Sequence, residues 1–364
     1  MSLHHPEHSH HAVIERGARA HRLGTYEHPF KKWVRRSTYG LLIGFASITF
    51  IYALLAFSVP PERVERGMTF VPMYARELGL DWREAYLATL DDLGVRNLRL
   101  SAHWPTVEPS RDVYDFSELH FMLDEAQTRG AKAIISVGRR TPRWPECHTP
   151  QWAQDLSWDE SKHEIREVVE KTVLEFRDHP AVEMWQIENE PFLSVFADMH
   201  CGDSLDEEFL KEEIALVKEL DPSRMVLVTD SGNLGTWWKP YRLGDAFGTS
   251  VYIYLWNPEI GPFKSIIPPS FYRAKLSLVE LFFKNKPSYL IELSIEPWLT
   301  KPVVETPLDV QFERMDMEKF EEILKFAEKT HFERQYLWGA EWWYWLKGKG
   351  HPEFWERGKD VFSE

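Results

Sequence analysis

Two short stretches bring glutamates together in settings that suit chemistry. One is Gln186-Ile187-Glu188-Asn189-Glu190-Pro191, closing an apolar run that begins at Val182. The other is Leu290-Ile291-Glu292-Leu293-Ser294-Ile295-Glu296-Pro297-Trp298. A pair of carboxyls can split an acetal: one protonates the departing oxygen and the other attacks the electron-poor carbon. That work needs one neutral and one charged group at the same pH, and proximity pushes the two pKa values apart. In an ideal strand Leu290 and Glu292 share one face, with Ile291 and Leu293 on the other.

The elements that must hold these residues can be read from residues 62–364. Apolar runs of β type alternate with helical stripes, which implies parallel strands joined by helices. The predicted strands are 68–72, 97–101, 132–137, 182–187, 225–229, 246–252, 288–293 and 336–340. Helices are expected over 82–93, 119–129, 160–177, 205–220, 274–283 and 315–329. Eight strands with intervening helices predict an α/β fold, the (β/α)8 TIM barrel. A doubly wound open sheet is the runner-up, but no glycine-rich phosphate turn follows the first strand. In a TIM barrel the active site lies at the C-terminal ends of the strands. Glu190 and Glu292 fall there.

His179-Pro180-Ala181-Val182, Trp185 and Asn189-Glu190-Pro191 together resemble the retaining clan A glycoside hydrolases, the cellulase-like family of TIM-barrel enzymes. The resemblance implies Glu190 as acid/base and Glu292 as nucleophile, with Glu296 the rival for the second role. It implies that Asn189 contacts the sugar 2-hydroxyl, that Arg99 lies near the nucleophile, and that Tyr252 (or Tyr254) touches it. Trp342 or Trp343 would be the strand-eight tryptophan beneath the sugar. Glu188 is a weaker rival to Glu190 and would pair with Arg99 or another barrel arginine. The His found on this face in many relatives has no counterpart here except His103.

Sixteen Trp residues supply core, and flat faces for sugar rings. Trp104, Trp144, Trp237, Trp238, Trp256, Trp298, Trp342 and Trp343 fall near predicted strand ends, so they are candidates for substrate subsites. Arg139, Arg140, Arg143 and Trp144 follow the third strand and could meet substrate hydroxyls or carboxylates. The reaction implied is retaining cleavage of β-linked oligo- or polysaccharide with no cofactor and no metal. A transglycosylase and a catalytically inactive carbohydrate-binding barrel are the alternatives. A metal-dependent hydrolase ranks last, because paired His ligands are missing after the first strand.

Net charge is −14, but residues 1–36 carry +4 and the remainder −18. An acidic body argues against nucleic acid as a partner. Residues 37–61 hold no charge, and 39–59 form an apolar run long enough to cross a bilayer. Lys31-Lys32-Trp33-Val34-Arg35-Arg36 precede it. The positive-inside rule then puts residues 1–36 in the cytoplasm, a transmembrane anchor at 37–61 and the barrel outside, on a single-pass cell-membrane protein. A cleaved signal peptide is the alternative; the long leader and long apolar run favour an anchor. The five His residues among the first eleven are expected to belong to a disordered tail. Cys147 and Cys201 are the only cysteines. They lie in neighbouring loops, and outside the cytoplasm a disulfide between them is allowed.

Overall fold

The computed structural model of the protein describes residues 29–56, 60–194, 201, 206–257 and 259–363. The His-rich tract lies outside them, as does the end of the apolar run at 57–59. The chain divides into two compact units, Met1–Ile51 and Tyr52–Glu364. A helix, Pro29–Ala56, takes in the basic cluster as well as most of the apolar run. Its side chains Leu41, Ile43, Phe45 and Ile48 are exposed. Among the described residues no helix is long and apolar enough to cross a membrane. The apolar run itself continues past them through 57–59.

The second unit is a closed barrel of eight parallel strands. In order around the wall they are β1 (Glu65–Thr69), β2 (Asn97–Ser101), β3 (Lys132–Val137), β4 (Val182–Ile187), β5 (Met225–Asp230), β6 (Ala246–Val251), β9 (Ser288–Ser294) and β10 (Arg334–Trp338). β10 pairs back onto β1. A hairpin of β7 (Tyr254–Asn257) and β8 (Gly261–Lys264) stands apart, paired antiparallel. The predicted strands match closely at β2, β3 and β4. The first and last are displaced: β1 starts and ends three residues earlier than predicted, and β10 ends at Trp338.

Helices cover the outside because their apolar stripes need the outer face of the wall. Helix Trp158–Phe176 opens with a capping box of Ser157 and Glu160 and buries Ile165, Val168, Val169, Val173 and Phe176. Helix Ser117–Thr128 stops ahead of Gly130, whose φ of +68° suits glycine. The barrel interior starts with a layer of Ile134, Met184, Leu227, Ala246, Ile291 and Tyr336. Above that layer the inward side chains turn polar: Arg99, Gln186, Thr229 and Ser250, all buried. Dry packing below and a polar layer above place the chemistry at the C-terminal mouth.

Candidate active site

Glu292 reaches the mouth by a route that simple alternation does not give. Leu290 and Leu293 pack in the outer core, whereas Ile291 belongs to the barrel interior. Strict alternation would therefore send Glu292 outward with Leu290. Instead the register slips: Thr249 is opposite Leu290 but Ser250 is opposite Glu292. The pairing with β10 slips over the same stretch. A bulge of this kind re-aims a side chain. The expectation that Glu292 points inward stands, and its premise of a shared face with Leu290 is corrected.

Once inside, Glu292 is 3% exposed and both its oxygens are taken. Oε1 accepts from Arg99 Nη1 at 2.7 Å, and Oε2 accepts from the Tyr252 hydroxyl at 2.8 Å. Arg99 is itself fully buried. It also donates to Gln186 Oε1 at 2.8 Å, Asn189 Oδ1 at 2.7 Å and the Ile291 carbonyl at 3.3 Å. One guanidinium thus ties the ends of β4 and β9 together, which its planar fork allows and an ammonium would not.

Glu190 sits in a contorted turn after β4. Glu188 and Glu190 have φ of +57° and +43°, left-handed values that cost a non-glycine residue about 1–3 kcal/mol each. Hydrogen bonds from several sides hold the turn. The Glu188 carboxylate accepts from the backbone N–H groups of Arg139, at 2.8 Å, and Arg140. Asn189 N–H donates to the Arg140 carbonyl at 2.7 Å, and Glu190 N–H donates to Thr229 Oγ1 at 2.9 Å. Glu188 therefore does not pair with Arg99. It is a buried brace for the turn, and burial pushes its carboxyl up to about 7.

The Glu190 side chain is 4% exposed, and Oε1 accepts from Ser250 Oγ at 2.6 Å. Burial raises its pKa well above the usual carboxylate value, and the charges of Glu292 and Glu146 raise it further. The mouth therefore holds one carboxyl whose pKa burial raises beside another whose two oxygens are held by a guanidinium and a phenol. Asn189 adds a donor. Its Oδ1 is held by Arg99, while Nδ2 is buried with no partner among the described residues. A buried unpaired amide N–H is costly unless something else, such as a ligand oxygen, accepts from it.

Glu296 lies two residues past the end of β9 and serves differently. Its Oε1 accepts from Arg143 Nη1 at 2.6 Å and Trp338 Nε1 at 2.8 Å. Arg143 in turn lies over the Tyr74 ring.

Several tryptophans do not take the places the sequence suggested. Trp342 and Trp343 are fully buried in helix Ala340–Gly348, donating to Gln311 Oε1 and the Ile295 carbonyl. Trp104 is equally buried and donates to Glu108. No sugar can stack on a ring with no exposed surface, so these three are core. The tryptophan that ends β10 is Trp338, half-buried against Glu296. Sequence reading overlooked it because the strand was drawn two residues late. The signal available was Gly339, a helix-starting break with φ of +126°. Trp144 is 52% exposed in the loop after β3, and Trp237 is core. Trp298 meets the Tyr252 ring edge-on at 5.5 Å. With Tyr252, Ser294 and Glu296 it lines a cleft of about 220 Å³, and with Trp256 and Arg314 a neighbouring one of about 230 Å³.

The arginines after β3 are mostly occupied inside the protein. Arg139 donates to Thr149 and the Cys201 carbonyl. Arg140, 1% exposed, donates to the carbonyls of Pro191 and Leu193. Cys147 and Cys201 are disulfide-bonded, with Cα atoms 5.4 Å apart. His103 is buried edge-on against His148, and burial lowers the two to about 3 and 4, so both are neutral. Among the described residues no cluster of His, Cys, Asp or Glu has the geometry to hold a metal ion.

Comparison with known proteins bears on this site. Residues 75–242, which include Glu190, match the family model described as glycosyl hydrolases family 2, TIM barrel domain. The closed eight-stranded barrel is the fold which that family model describes. The β-galactosidase Bga of Halorubrum lacusprofundi is 23% identical to this protein over 207 residues, 52% of this chain and 26% of the relative. The matched region thus spans about a quarter of that relative. Among solved structures, GH5_18 from Bifidobacterium longum superposes with a TM-score of 0.54 at 14% identity, covering 76% of this chain and 70% of that chain. The exo-β-1,4-mannosidase of an Opitutaceae bacterium superposes at 0.51 and 16%, covering 76% and 52%. These two likenesses show the shared fold.

Proposed function

We propose that the protein is a retaining glycosidase that cleaves β-linked sugars by double displacement. The observation that carries the reading is the pair at the mouth: Glu190, buried against Ser250 with its pKa raised by that burial, and Glu292, held by Arg99 and Tyr252. In the first step Glu190 gives its proton to the leaving oxygen while Glu292 attacks the anomeric carbon, forming a glycosyl ester. Glu190, now ionised, then takes a proton from water, and the resulting hydroxide character releases the sugar with its anomeric configuration retained. Asn189 Nδ2, a donor without a partner among the described residues, is available for the sugar 2-hydroxyl, a contact that strengthens in the transition state of such reactions. Trp338 and Trp298 offer the partly open aromatic surface that Trp342, Trp343 and Trp104 lack. A second sugar in place of water would make the same site a transglycosylase.

Glu190→Gln and Glu292→Gln each test this reading on an aryl β-glycoside. Each is expected to lower kcat by about a hundredfold or more without unfolding the protein. Wild-type rates in either variant would end the assignment. The product anomer, read by NMR before mutarotation, should match the substrate; inversion would end the retaining mechanism.

The same proposal includes tethering to a membrane by residues 39–59. Supporting it are the uncharged run, the basic cluster before it, and apolar side chains exposed along helix Pro29–Ala56. The barrel then faces away from the cytoplasm, where the Cys147–Cys201 disulfide is chemically at home. Alkaline carbonate should leave the full chain in the membrane fraction, and added protease should digest the barrel from the extracytoplasmic side. Release by carbonate would contradict the anchor.

A further inference from the structure

The loop that follows β3 is held by more contacts than a connection needs. Gly138 leaves the strand at φ of +121°, where a Cβ would strike the Glu188 carboxylate. Arg143 and Glu146 both take left-handed values, +101° and +66°. His103 and His148 hold the carbonyls of Pro142 and Arg143, each at 3.0 Å. Thr141 N–H donates to the Glu146 carbonyl at 3.0 Å, and Glu146 N–H donates to the Arg143 carbonyl at 2.7 Å. The next residue, Cys147, is disulfide-bonded to Cys201. Two non-glycine residues in a costly conformation, pinned from several sides, mark a loop built to present particular side chains. Arg143 goes to Glu296. Glu146 goes to Arg140.

The Glu146 side chain is 15% exposed, and its Oε2 lies 3.3 Å from Arg140 Nη2. Its Oε1 accepts no hydrogen bond among the described residues. Arg140 is shared, because it also carries the carbonyls of Pro191 and Leu193 behind Glu190. Glu146 stands close enough to Glu292 and Arg99 to feel both charges, and it acts in turn on Glu190 and Tyr252. Burial pushes its own carboxyl up to about 7.

We propose that Glu146 is a specificity-determining residue of the site, whose open oxygen accepts a hydroxyl of the sugar at the cleavage point and whose charge turns away sugars bearing a carboxylate. The inference rests on the Glu190–Glu292 reading above and adds a substrate class to it: neutral sugars over uronides. Above about pH 7, where Glu146 is ionised, a carboxylate brought against Glu146 and Glu292 would face two like charges, with Arg99 and both terminal nitrogens of Arg140 already engaged.

Glu146→Gln and Glu146→Asp, compared with wild type on a neutral aryl glycoside and the matching uronide, test it. Gln keeps the shape and removes the charge; Asp keeps the charge and shortens the reach. In Glu146→Gln, kcat/KM for the uronide relative to the neutral sugar should rise about tenfold. The alkaline limb of the kcat/KM profile should also move to lower pH, because a negative charge next to Glu190 is gone. Glu190 is faced as well by Glu292 on β9, Asp230 at the end of β5, Ser250 and Tyr252 around β6, and Lys275 on helix Pro269–Phe282. All of these are common to both variants. Glu146→Asp should leave the limb in place and raise KM for the neutral sugar about tenfold, the loss of one hydrogen bond to a charged group. An unchanged uronide ratio and an unmoved limb in Glu146→Gln would overturn the proposal, and a lowered melting temperature alone would assign Glu146 a structural part only. Wild-type inactivity on every glycoside would instead overturn the reaction itself, and this residue's part with it.

Discussion

Arg99 is the residue on which the proposed catalytic pair depends. It touches Glu292, Asn189 and Gln186 with three different nitrogens. Arg99→Lys keeps the charge and loses the fork, leaving buried acceptors unpaired. We expect kcat/KM to fall about 100-fold, which steady-state kinetics on an aryl glycoside would check; a loss under threefold would contradict the ascribed role. The pH profile gives a second residue-scale test. Glu190 must carry its proton to act as acid, so turnover holds below its raised pKa and is lost as pH climbs through it. The Ser250 hydroxyl donates to Glu190 and favours its ionised form. Ser250→Ala should therefore move the alkaline limb of kcat to higher pH; movement to lower pH would reverse the assignment. At this scale the sequence showed both glutamates, Asn189, Arg99 and Tyr252, because each follows or ends a well-marked strand. It did not show that Asn189 has a spare donor or that Glu296 is engaged by Arg143, since those depend on loops meeting in space.

At the scale of elements, the end of the barrel shows where pattern reading works and where it stops. From Tyr336 to Trp345 the chain is almost continuously apolar or aromatic. Such a run does not say where a strand yields to a helix. The structure breaks it at Gly339, which puts Trp338 at the mouth and Trp342 and Trp343 into helix packing. Trp342→Ala should cost about 3–5 kcal/mol of stability, measured by denaturant unfolding, with KM unchanged. A raised KM at intact stability would return Trp342 to the sugar site. β9 teaches a related lesson: the alternation of Leu290, Ile291 and Glu292 is readable, but the bulge that turns Glu292 inward is not. Helix Glu207–Leu220 brings a further carboxyl, Glu213, buried against that of Glu188. Burial and the nearby Glu188 charge raise it. A carboxyl whose folded pKa is raised stabilises the fold below its unfolded value near 4.5, and that contribution is lost as pH rises through the folded pKa. Stability should then decline from about pH 5 upward, and Glu213→Gln should flatten the decline in melting-temperature scans. An identical slope in the variant would refute the account.

At the scale of the whole molecule, the barrel was legible because eight runs alternate with helices and three of the strand predictions needed no adjustment. The clefts beside Trp298 were not legible, because they form between the β7–β8 hairpin and segments far along the chain. The disulfide was half legible: both cysteines follow strands at one end of the barrel, but their separation depends on how the loops fold. It joins residues 54 apart in sequence, so its loss should cost about 2–4 kcal/mol. Mild reduction is expected to expose two thiols to a labelling reagent and lower the melting temperature; full labelling without reduction would contradict the pairing.

The central claim is the division of labour between Glu190 and Glu292. A fluorinated glycoside that forms the glycosyl ester but hydrolyses slowly should trap the intermediate, and peptide mass spectrometry then locates the attached sugar. The account predicts the sugar on Glu292. Attachment to Glu296, or to any other residue, would contradict it.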